Sequence, residues 1–215
     1  MSYIVERREE EKERRRLEII EAAEGLYAER GWDAVTMDQV ARAARLSRAL
    51  VYVYFKDKDD LLLAIASRAM QRMAERFRHA AMTHPRGIDK VRAIGHAYIA
   101  FAGEFPHYFD AETRFQAHRA GSGGTATEHA CVLAADGVHA VMLDVLEQAM
   151  ADGSVRRDIG DPNLVCMALW AFAHGLVRIA TAKADALEAH GVPLAEFVDG
   201  SVAMVSRMLE AGAKS

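Results

Sequence analysis

Apolar residues recur every three or four positions along most of the chain, and this spacing predicts amphipathic α-helices. The clearest example begins at Leu17 and ends at Gly31, and its apolar face consists of Ile19, Ile20, Ala23, Leu26 and Tyr27. Gly31 suits the position just after a helix because glycine accepts a positive φ angle. No segment alternates apolar and polar residues as a half-buried strand would. The pattern therefore predicts an all-α fold.

Two short helices and a longer one follow this first helix. Thr36 and Gln39 have the spacing of a capping box and predict the start of the second helix. Ser47 can cap a third helix that runs to about Lys56, and either Asp57 or Asp59 can cap a fourth over residues 60 to 83. The second and third helices are joined by a turn of about three residues, which is the proportion of a helix-turn-helix motif.

Proline, glycine and short polar runs divide the rest of the chain into further helices. We predict helices over residues 87–104, 107–117, 127–151, 162–187 and 194–211, for a total of about nine. Asp161-Pro162 suits a helix start because proline is tolerated in the first turn. The glycine-rich residues 121–124 predict a flexible loop.

Composition excludes several classes of protein. Apolar residues make up 51% and charged residues 27% of the chain, which is typical of a folded globular protein. No uninterrupted apolar run approaches the ~18–20 residues of a membrane span, and the N-terminal segment is dense in charge, so we expect neither a transmembrane helix nor a signal peptide. Cys131 and Cys166 are the two cysteines, too few for a disulfide scaffold, and they suit a reducing cytoplasm.

The net charge of −4 means that any DNA binding must depend on a local basic patch. Residues 6–16 alternate acidic and basic side chains at helical spacing. This segment is either a solvated helical extension or a basic arm in which Arg14, Arg15 and Arg16 contact DNA phosphates.

The third helix carries the candidate chemistry. Leu50, Val51 and Phe55 are spaced to pack inward, although Leu50 is also a lower-ranked candidate for base contact. The residues predicted to face outward are Ser47, Arg48, Ala49, Tyr52, Val53 and Tyr54. Exposed tyrosines beside an arginine suit hydrogen bonds to phosphates and contacts with base edges.

The runs TMDQVA at residues 36–41, LSR at 46–48 and VYVYFKDKDDL at 51–61 resemble the tetracycline-repressor (TetR) family of bacterial transcription regulators. The resemblance implies a DNA-binding domain over residues 17–60, preceded by the charged arm 1–16 and followed by a helical ligand-binding and dimerisation domain over 61–215. It also implies that Arg48, Ala49 and Val53 read bases. The positions that resemble contacts with the DNA backbone are Thr36, Ser47, Tyr52, Tyr54 and Lys58.

Two positions depart from the family pattern. Arg45 and Ala49 stand where the family often has glycine. We expect Arg45 either to adopt a positive φ angle, at a cost of roughly 1 kcal/mol, or to bend the turn differently. Ala49 restricts slightly how closely the backbone approaches a base.

The C-terminal part resembles the subtype of the family with a Trp…His-Gly signature, through residues 101–109 and the run WAFAHG at 170–175. The resemblance implies a small-molecule effector, and the aromatic content suggests an apolar or aromatic one. No cofactor or metal is implied. The candidate effector contacts are Phe77, Phe101, Phe105, Tyr108, Phe109, Phe115, Met142, Trp170 and His174. A hydrogen-bonded core position is the other interpretation of His174.

The last two long helices predict a homodimer. Their candidate interface residues are Val165, Leu169, Phe172, Leu176 and Ile179, followed by Phe197, Val198, Val202, Val205 and Leu209. Packing inside the subunit is the alternative for these faces. A twofold dimer would present two recognition helices roughly 34–36 Å apart to a palindromic operator in double-stranded DNA. Effector binding between the middle helices would shift the fourth helix and release a repressor from its operator.

Two other classes of function stay open at this point. The chain has no H-E-x-x-H, G-x-S-x-G or phosphate-loop motif that would indicate an enzyme. Histidines recur every 11 residues at His96, His107, His118 and His129, a pattern that Pro106 and the glycine loop interrupt. A helical dimeric adaptor that binds only protein is the second alternative.

Overall fold

The computed structural model describes the backbone of residues 2–118 and 124–212, so positions 121–123 of the predicted loop lie outside the described residues, as do the side chains of residues 2–4, 116–118 and 184. Within that part of the chain all regular structure is helical, and the all-α prediction is confirmed. The elements are α1 Ser2–Arg30, a 3₁₀ helix Trp32–Ala34, α2 Met37–Ala43, α3 Arg48–Tyr54, α4 Lys58–Met82, α5 Gly87–Glu104, α6 Pro106–His118, α7 Ala126–Ala151, α8 Pro162–Ala182, α9 Ala184–Ala189 and α10 Leu194–Leu209.

Several helix boundaries differ from the prediction, most by one or two residues, and three of the differences matter for the fold. α1 is continuous from Ser2, so the charged arm is part of the first helix. The helix predicted over 162–187 breaks at Lys183, whose φ of −135° is not helical, and α9 is therefore an additional helix among the described residues. α10 ends at Leu209 because Glu210 leaves the helix and pairs with Val155 in an isolated antiparallel bridge.

The described chain forms two compact units. Unit 1 comprises residues 1–70 and 105–134, and it contains the helix-turn-helix. Its core includes the predicted face of α1, with Ile19, Ile20, Ala23 and Tyr27 all buried. The other fully buried apolar side chains of this core include Val40, Val51, Phe55, Leu61 and Ile65. The periodicity of the first helix therefore identified part of the core correctly.

Unit 2 comprises residues 71–104 and 135–215. Its apolar cluster consists of Ile88, Leu146, Ala149, Val155, Cys166 and Leu209. α5 and α7 approach so closely here that a Cβ atom at Gly87 would overlap the backbone of Ala149. The start of α5 is fixed by two side chains, since Gly87 N–H donates to Asp152 (2.7 Å) and Ile88 N–H donates to Ser154 Oγ (2.9 Å).

The carboxylate of Asp152 is stabilised in its ionised form. A hydrogen bond from Ser154 has the largest effect and lowers its pKa; burial opposes this, and the hydrogen bond from the backbone N–H of Gly87 lowers the pKa further. A charged acceptor at the first residue of α5 also interacts favourably with the positive end of that helix. This link joins the start of α5 to the segment after α7 without any contribution from apolar packing.

Candidate nucleic-acid interface and regulatory surfaces

Both helices of the helix-turn-helix begin at the predicted caps. Thr36 N–H donates to Gln39 Oε1 (2.8 Å), and Gln39 N–H donates to Thr36 Oγ1 (3.3 Å), which completes the capping box. Leu50 N–H donates to Ser47 Oγ (3.2 Å) at the start of α3. Each cap satisfies backbone donors that the first helical turn leaves without a partner. The predicted boundaries of α2 and α3 are therefore confirmed at their N-termini.

The turn between α2 and α3 uses a left-handed residue. Arg45 has a φ of 57° and is the only non-glycine residue with positive φ in the described chain. Its N–H donates to the carbonyl of Arg42 (3.1 Å), and Leu46 N–H donates to Ala41 (2.9 Å). The first of the two alternatives for Arg45 is thus correct, with a local cost of about 1 kcal/mol relative to glycine.

The outer face of α3 is exposed as predicted. Ser47, Arg48 and Ala49 are exposed, Tyr52 is 41% exposed and Val53 is 76% exposed. On the inner face of α3, Val51 and Phe55 are buried as predicted, whereas Leu50 is only half-buried. Tyr54 is also half-buried, so its ring lies at the edge of the exposed face.

Arg48 is held on this exposed face by two neighbours. Its Nε lies 3.2 Å from Asp38 Oδ1, and its guanidinium carbon lies 5.5 Å from the centre of the Tyr52 ring. A hydrogen bond with Tyr52 and the charge of Asp38 raise the pKa of Arg48, so it stays cationic. Because the pair with Asp38 is exposed to solvent, it is weak enough to be exchanged for an acceptor on DNA.

Lys58 lies at the first position of α4, but its ammonium group bonds within the subunit. Nζ donates to the carbonyl of Trp32 (2.6 Å) and lies 5.0 Å from the centre of the Trp32 ring. Burial lowers the pKa of Lys58, and the nearby Asp33 carboxylate partly offsets that effect. Asp57 is the cap of α4, since Asp60 N–H donates to its Oδ1 (2.8 Å).

A polar network in unit 1 was not predicted. Arg114 on α6 donates to both carboxylate oxygens of Asp33 (3.0 Å each), and its Nε donates to Asp110 (2.9 Å). Asp110 also accepts the hydroxyl of Tyr27 (2.7 Å). Burial and this hydrogen bond raise the pKa of Tyr27. The network joins α6 to α1 and to the 3₁₀ helix that precedes α2, and no sequence signal links residues so far apart.

The arginines of the charged arm form ion pairs along α1. Arg14 pairs with Glu11, Arg15 pairs with Glu18 (2.8 Å), and Arg16 lies 3.6 Å from Glu13. Arg16 also lies over the ring of Phe55, with its guanidinium carbon 5.5 Å from the ring centre. The arm is therefore a solvent-exposed helical extension of α1.

The aromatic candidates for the effector site belong to both units. In unit 1, Tyr108, Phe109 and Phe115 are buried and Phe105 is half-buried, with ring centres of Phe105 and Tyr108 5.7 Å apart. These residues stay predictions as effector contacts.

In unit 2 a tyrosine that sequence reasoning missed joins the candidates. The hydroxyl of Tyr98 is hydrogen-bonded to His174 Nδ1 (3.1 Å), and the rings of Phe77 and Trp170 lie beside this pair, at 6.3 Å from Tyr98 and 5.6 Å from His174. Burial, followed by the charge of Arg178, lowers the pKa of His174. Phe101 is buried in this unit as well. Met142 packs against the apolar cluster of unit 2.

The apolar faces predicted for dimerisation are partly used inside the subunit. Leu176, Val202 and Leu209 are buried, while Val165, Leu169 and Val205 pack against the cluster of unit 2. Of the predicted set, Ile179 is exposed. A different apolar face is exposed on these helices, and it consists of Leu164, Met167, Ile179, Leu194, Met204 and Met208.

α7 and α8 are long and apolar enough to span a membrane by length and composition alone, a test that core helices of soluble proteins also pass. Only 17% of the apolar stretch of α8 is buried within the subunit.

No group of three or more His, Cys, Asp or Glu side chains that could hold a metal ion occurs in the part of the chain that is described. His96 lies 3.8 Å from Asp199, and His107 stacks near Tyr108 (4.3 Å between ring centres). The side chain of His118 lies outside the described residues. The histidine series is therefore not shown to act together.

Profiles of two known families match the chain. The profile described as bacterial regulatory proteins of the tetR family matches residues 19–65, and the one described as the tetracyclin repressor-like C-terminal domain matches residues 91–205. Together they cover both units. The chain belongs to the TetR family. The resemblance of the motifs at 36–61 is thereby confirmed.

Individual relatives agree with this assignment. The chain is 29% identical over 208 residues to the HTH-type transcriptional regulator HbdR of Aromatoleum sp. (strain CIB), covering 94% of this chain and 84% of HbdR. A Rhodococcus sp. RHA1 protein of unknown function has the same fold, with a TM-score of 0.76, 21% identity and coverage of 92% and 95% of the two chains. AibR in complex with isovaleryl coenzyme A and operator DNA aligns with a TM-score of 0.60, 21% identity and coverage of 88% and 97%.

The TetR assignment fixes the general function. This chain is a ligand-responsive, DNA-binding transcriptional regulator with an N-terminal helix-turn-helix and a C-terminal helical domain. The alternative of an adaptor that binds only protein is therefore set aside. The family consists of regulators rather than known enzymes, which agrees with the lack of catalytic motifs in the sequence.

Proposed function

We propose that this TetR regulator is a homodimeric repressor that leaves a palindromic operator when it binds a small apolar effector. The exposed outer face of α3 is the observation that supports DNA reading, because Arg48, Tyr52 and Val53 project from a helix whose inner side is anchored by Val51. Because these side chains are exposed, they contribute little apolar burial to the stability of unit 1. They suit a major groove, which is wide enough to admit one helix.

The side chains of α3 divide by chemistry. Arg48 has the bidentate donor geometry that recognises guanine O6 and N7, and Val53 and Ala49 suit contact with a thymine methyl group. Thr36, Ser47, Tyr52 and Tyr54 offer hydroxyl groups for phosphate oxygens, which position the protein without reading sequence. Lys58 adds positive charge near these groups, but its bond to Trp32 suggests a mainly structural contribution.

The exposed apolar face of α8 and α10 supports the dimer. The exposed side chains Leu164, Met167 and Ile179 on α8, and Met204 and Met208 on α10, are large and apolar, and apolar surface of this kind is typical of an interaction site. A second copy with the same face would cover it in an isologous interface. Dimerisation would then place two α3 helices against successive major grooves of one operator.

The effector class is suggested by unit 2. The Tyr98–His174 hydrogen bond offers polar groups beside the rings of Phe77 and Trp170, and a few polar groups among apolar rings are the usual composition of a small-molecule site. AibR, which shares the fold, is described as bound to an acyl coenzyme A. We propose an apolar or aromatic acyl group, presented as a coenzyme A thioester, as the class to test first.

The signal would pass along α4. This single helix runs from Lys58 to Met82, with its first part in unit 1 and its second part in unit 2. An effector that binds better to one position of α4 shifts the population toward that position, and a coupling of about 1–3 kcal/mol is typical. We expect the protein to work in the cytoplasm, where bacterial DNA lies.

The decisive experiment selects bound fragments from genomic DNA of the source organism. A footprint on the selected fragments should show two equivalent half-sites separated by about one helical turn, as a twofold dimer requires. Adding a series of acyl coenzyme A thioesters should then lower the affinity for that fragment. Recovery of no enriched fragment would reject the DNA-binding proposal, while enrichment without response to any thioester would reject only the effector class.

A further inference from the structure

Arg48, the proposed base-reading residue of α3, is in contact with a carboxylate that belongs to a different helix. Asp38 lies in the first turn of α2, ten positions earlier in the sequence. Its Oδ1 lies 3.2 Å from Arg48 Nε, and its Oδ2 accepts a hydrogen bond from Arg48 Nη1 (3.4 Å). Both carboxylate oxygens of Asp38 therefore face the guanidinium group of Arg48.

Tyr52 restrains the same guanidinium group from its own helix. The guanidinium carbon of Arg48 lies over the Tyr52 ring, 5.5 Å from the ring centre. A planar cation packs well on an aromatic face, and it also pairs well with a carboxylate. Two contacts, one from α2 and one from the next turn of α3, thus restrict a side chain that loses much rotamer freedom when it is ordered.

The contact with Asp38 leaves donors of Arg48 available to DNA. A guanidinium group has several N–H donors distributed over all of its nitrogens, and Asp38 accepts a hydrogen bond from Nη1. A bidentate contact with O6 and N7 of guanine needs only a pair of these donors. Arg48 can therefore bind guanine while it stays beside Asp38.

Charge favours keeping this ion pair on DNA, although the pair is weak in water because it is exposed. A carboxylate beside the reading face opposes binding to a polyanion, since like charges repel. Arg48 offsets the charge of Asp38 as long as the two side chains stay in contact. DNA also excludes water from the contact, and the attraction between the two groups is stronger in that lower dielectric.

We infer that Asp38 is a positioning residue for base recognition, which holds Arg48 in the orientation that binds guanine and contacts no base itself. The inference rests on the proposed base-reading role of α3 and adds a residue of α2 to it. Its physical basis is preorganisation, because a side chain that is already ordered loses less rotamer freedom on binding.

A direct contact with a base is the competing role for Asp38. Aspartate can accept a hydrogen bond from N4 of cytosine in the major groove. A direct contact would give Asp38 a base pair of its own, whereas a positioning role changes only the base pair that Arg48 reads. The base pair at which discrimination is lost therefore distinguishes the two roles.

The test uses three single variants and one double variant. Asp38→Asn removes the charge with almost no change of shape, and Arg48→Ala identifies the base pair that Arg48 reads. The double variant combines these two substitutions. Asp59→Asn is the matched control, because Asp59 is also an exposed acid in the first turn of a helix, α4. Each Asp→Asn substitution thus removes one negative charge and one favourable interaction with a helix N-terminus.

Each protein selects duplexes from a random library, and its affinity is then measured for the preferred duplex and for every single base-pair change. Circular dichroism and thermal unfolding establish that each variant folds like the wild type. We expect Arg48→Ala to lose discrimination at one base pair of each half-site. Asp38→Asn should lower discrimination at that same base pair by roughly 3- to 10-fold, the lower part of the range for coupled residues in contact.

Three further results are expected if Asp38 acts through Arg48. Asp38→Asn should bind a duplex of unrelated sequence as tightly as the wild type or more tightly, because a negative charge is removed. Asp59→Asn should keep the wild-type discrimination. In the Arg48→Ala background, Asp38→Asn should change discrimination no further.

Other outcomes overturn the inference or the proposed function separately. Wild-type discrimination in Asp38→Asn, an equal loss in Asp59→Asn, or a loss at a different base pair would each overturn the positioning role. Unchanged preferences in Arg48→Ala would also overturn it, because Arg48 would then read no base. Failure of the wild type to enrich any duplex would refute the proposed function itself.

Discussion

Unit 1 and unit 2 both leave apolar side chains uncovered, yet the surroundings of those side chains differ. On α3 of unit 1, Val53 and Tyr52 share their surface with Arg48 and hydroxyl groups. On α8 of unit 2, Leu164 and Met167 lie among alanine and other apolar residues. A polar, cationic border suits the grooves of DNA, whereas an apolar border suits a second protein surface. The neighbours of an exposed apolar residue therefore indicate which partner covers it.

The two units also differ in how they are held together. Unit 1 joins α6 to α1 and the 3₁₀ helix through the carboxylates of Asp33 and Asp110, which share Arg114. Unit 2 is held by an apolar cluster. Beside it, the backbone of α5 at Gly87 lies so close to Ala149 of α7 that position 87 has no room for a side chain. Polar networks fix relative positions through geometry, and apolar clusters fix them through packing. The two units should therefore respond differently to the same kind of substitution.

The largest effect is expected from a charge in the exposed apolar face of unit 2. Met167→Asp would place an unpaired carboxylate in each half of the dimer interface, at a cost of about 3–5 kcal/mol per buried charge. We expect the dimer to dissociate at micromolar concentrations, as measured by sedimentation equilibrium. Met82→Asp, at another exposed methionine of unit 2, is the matched control and should leave the dimer intact. Equal behaviour of the two variants would contradict the proposed interface.

A smaller effect is expected from truncation of the DNA-reading face. Arg48→Ala should lower affinity for the selected operator fragment by about 10- to 100-fold, because a base contact is worth about 1–3 kcal/mol. Tyr52→Ala removes a phosphate contact and should weaken binding to all duplexes alike. Thermal unfolding should be unchanged, since both side chains are exposed. Arg78→Ala, at an exposed arginine of α4 in unit 2, is the control. Loss of affinity in Arg78→Ala to the same degree would show that only net charge matters.

Two glycines of α5 test the packing of unit 2. Gly87→Ala should lower the free energy of unfolding by about 1–3 kcal/mol, because the added methyl group forces α5 and α7 apart. Gly103→Ala, where the new methyl group meets nothing within 4 Å, should be neutral or stabilise by up to about 1 kcal/mol through helix propensity. Chemical denaturation measures both. A neutral Gly87→Ala would mean that the two helices can separate without loss of packing.

The polar network of unit 1 should contribute less. Arg114→Ala removes a bidentate pair with Asp33 and a hydrogen bond to Asp110, and we expect only a small loss of stability, since the Asp33 carboxylate is exposed to solvent. Arg76→Ala breaks a single exposed pair with Glu104 and should cost less.

The same network predicts a pH dependence. The Arg114 guanidinium lowers the pKa of Asp33, so the stability from this pair is present above the unfolded pKa of about 4 and is lost as pH falls below it. Acid unfolding of Arg114→Ala should lack that component. An unchanged acid-unfolding curve would remove Asp33 from the network.

The smallest effect is expected at His174. Burial lowers its pKa in the folded state, so the unfolded chain binds a proton more readily once pH falls below about 6.5, and stability should decrease there. His174→Gln should flatten this part of the curve of melting temperature against pH. The variant Tyr98→Phe, which removes the hydrogen-bonding hydroxyl, tests whether the pair with Tyr98 contributes. A wild-type curve that is already flat in this range would contradict the prediction.

The sequence by itself determined the features that depend on neighbouring residues. The caps at Thr36, Ser47 and Asp161 and the outward face of α3 follow from interactions among residues a few positions apart. For Arg45 the sequence left two conformations open, and the structure decided for a positive φ. Local hydrogen bonds and helical spacing need no knowledge of the rest of the fold. The motifs that identified the family are of the same local kind.

Only the tertiary structure decided which partner each helix face meets. The predicted dimer residues Leu176 and Val202 are buried inside the subunit, and α10 stops at Leu209 because the next residue pairs with Val155. Arg114 reaches Asp33 across 81 positions of sequence. Helical spacing shows that a face is apolar, but it cannot distinguish a neighbour within the chain from a second chain, because burial gives the same free energy in both cases.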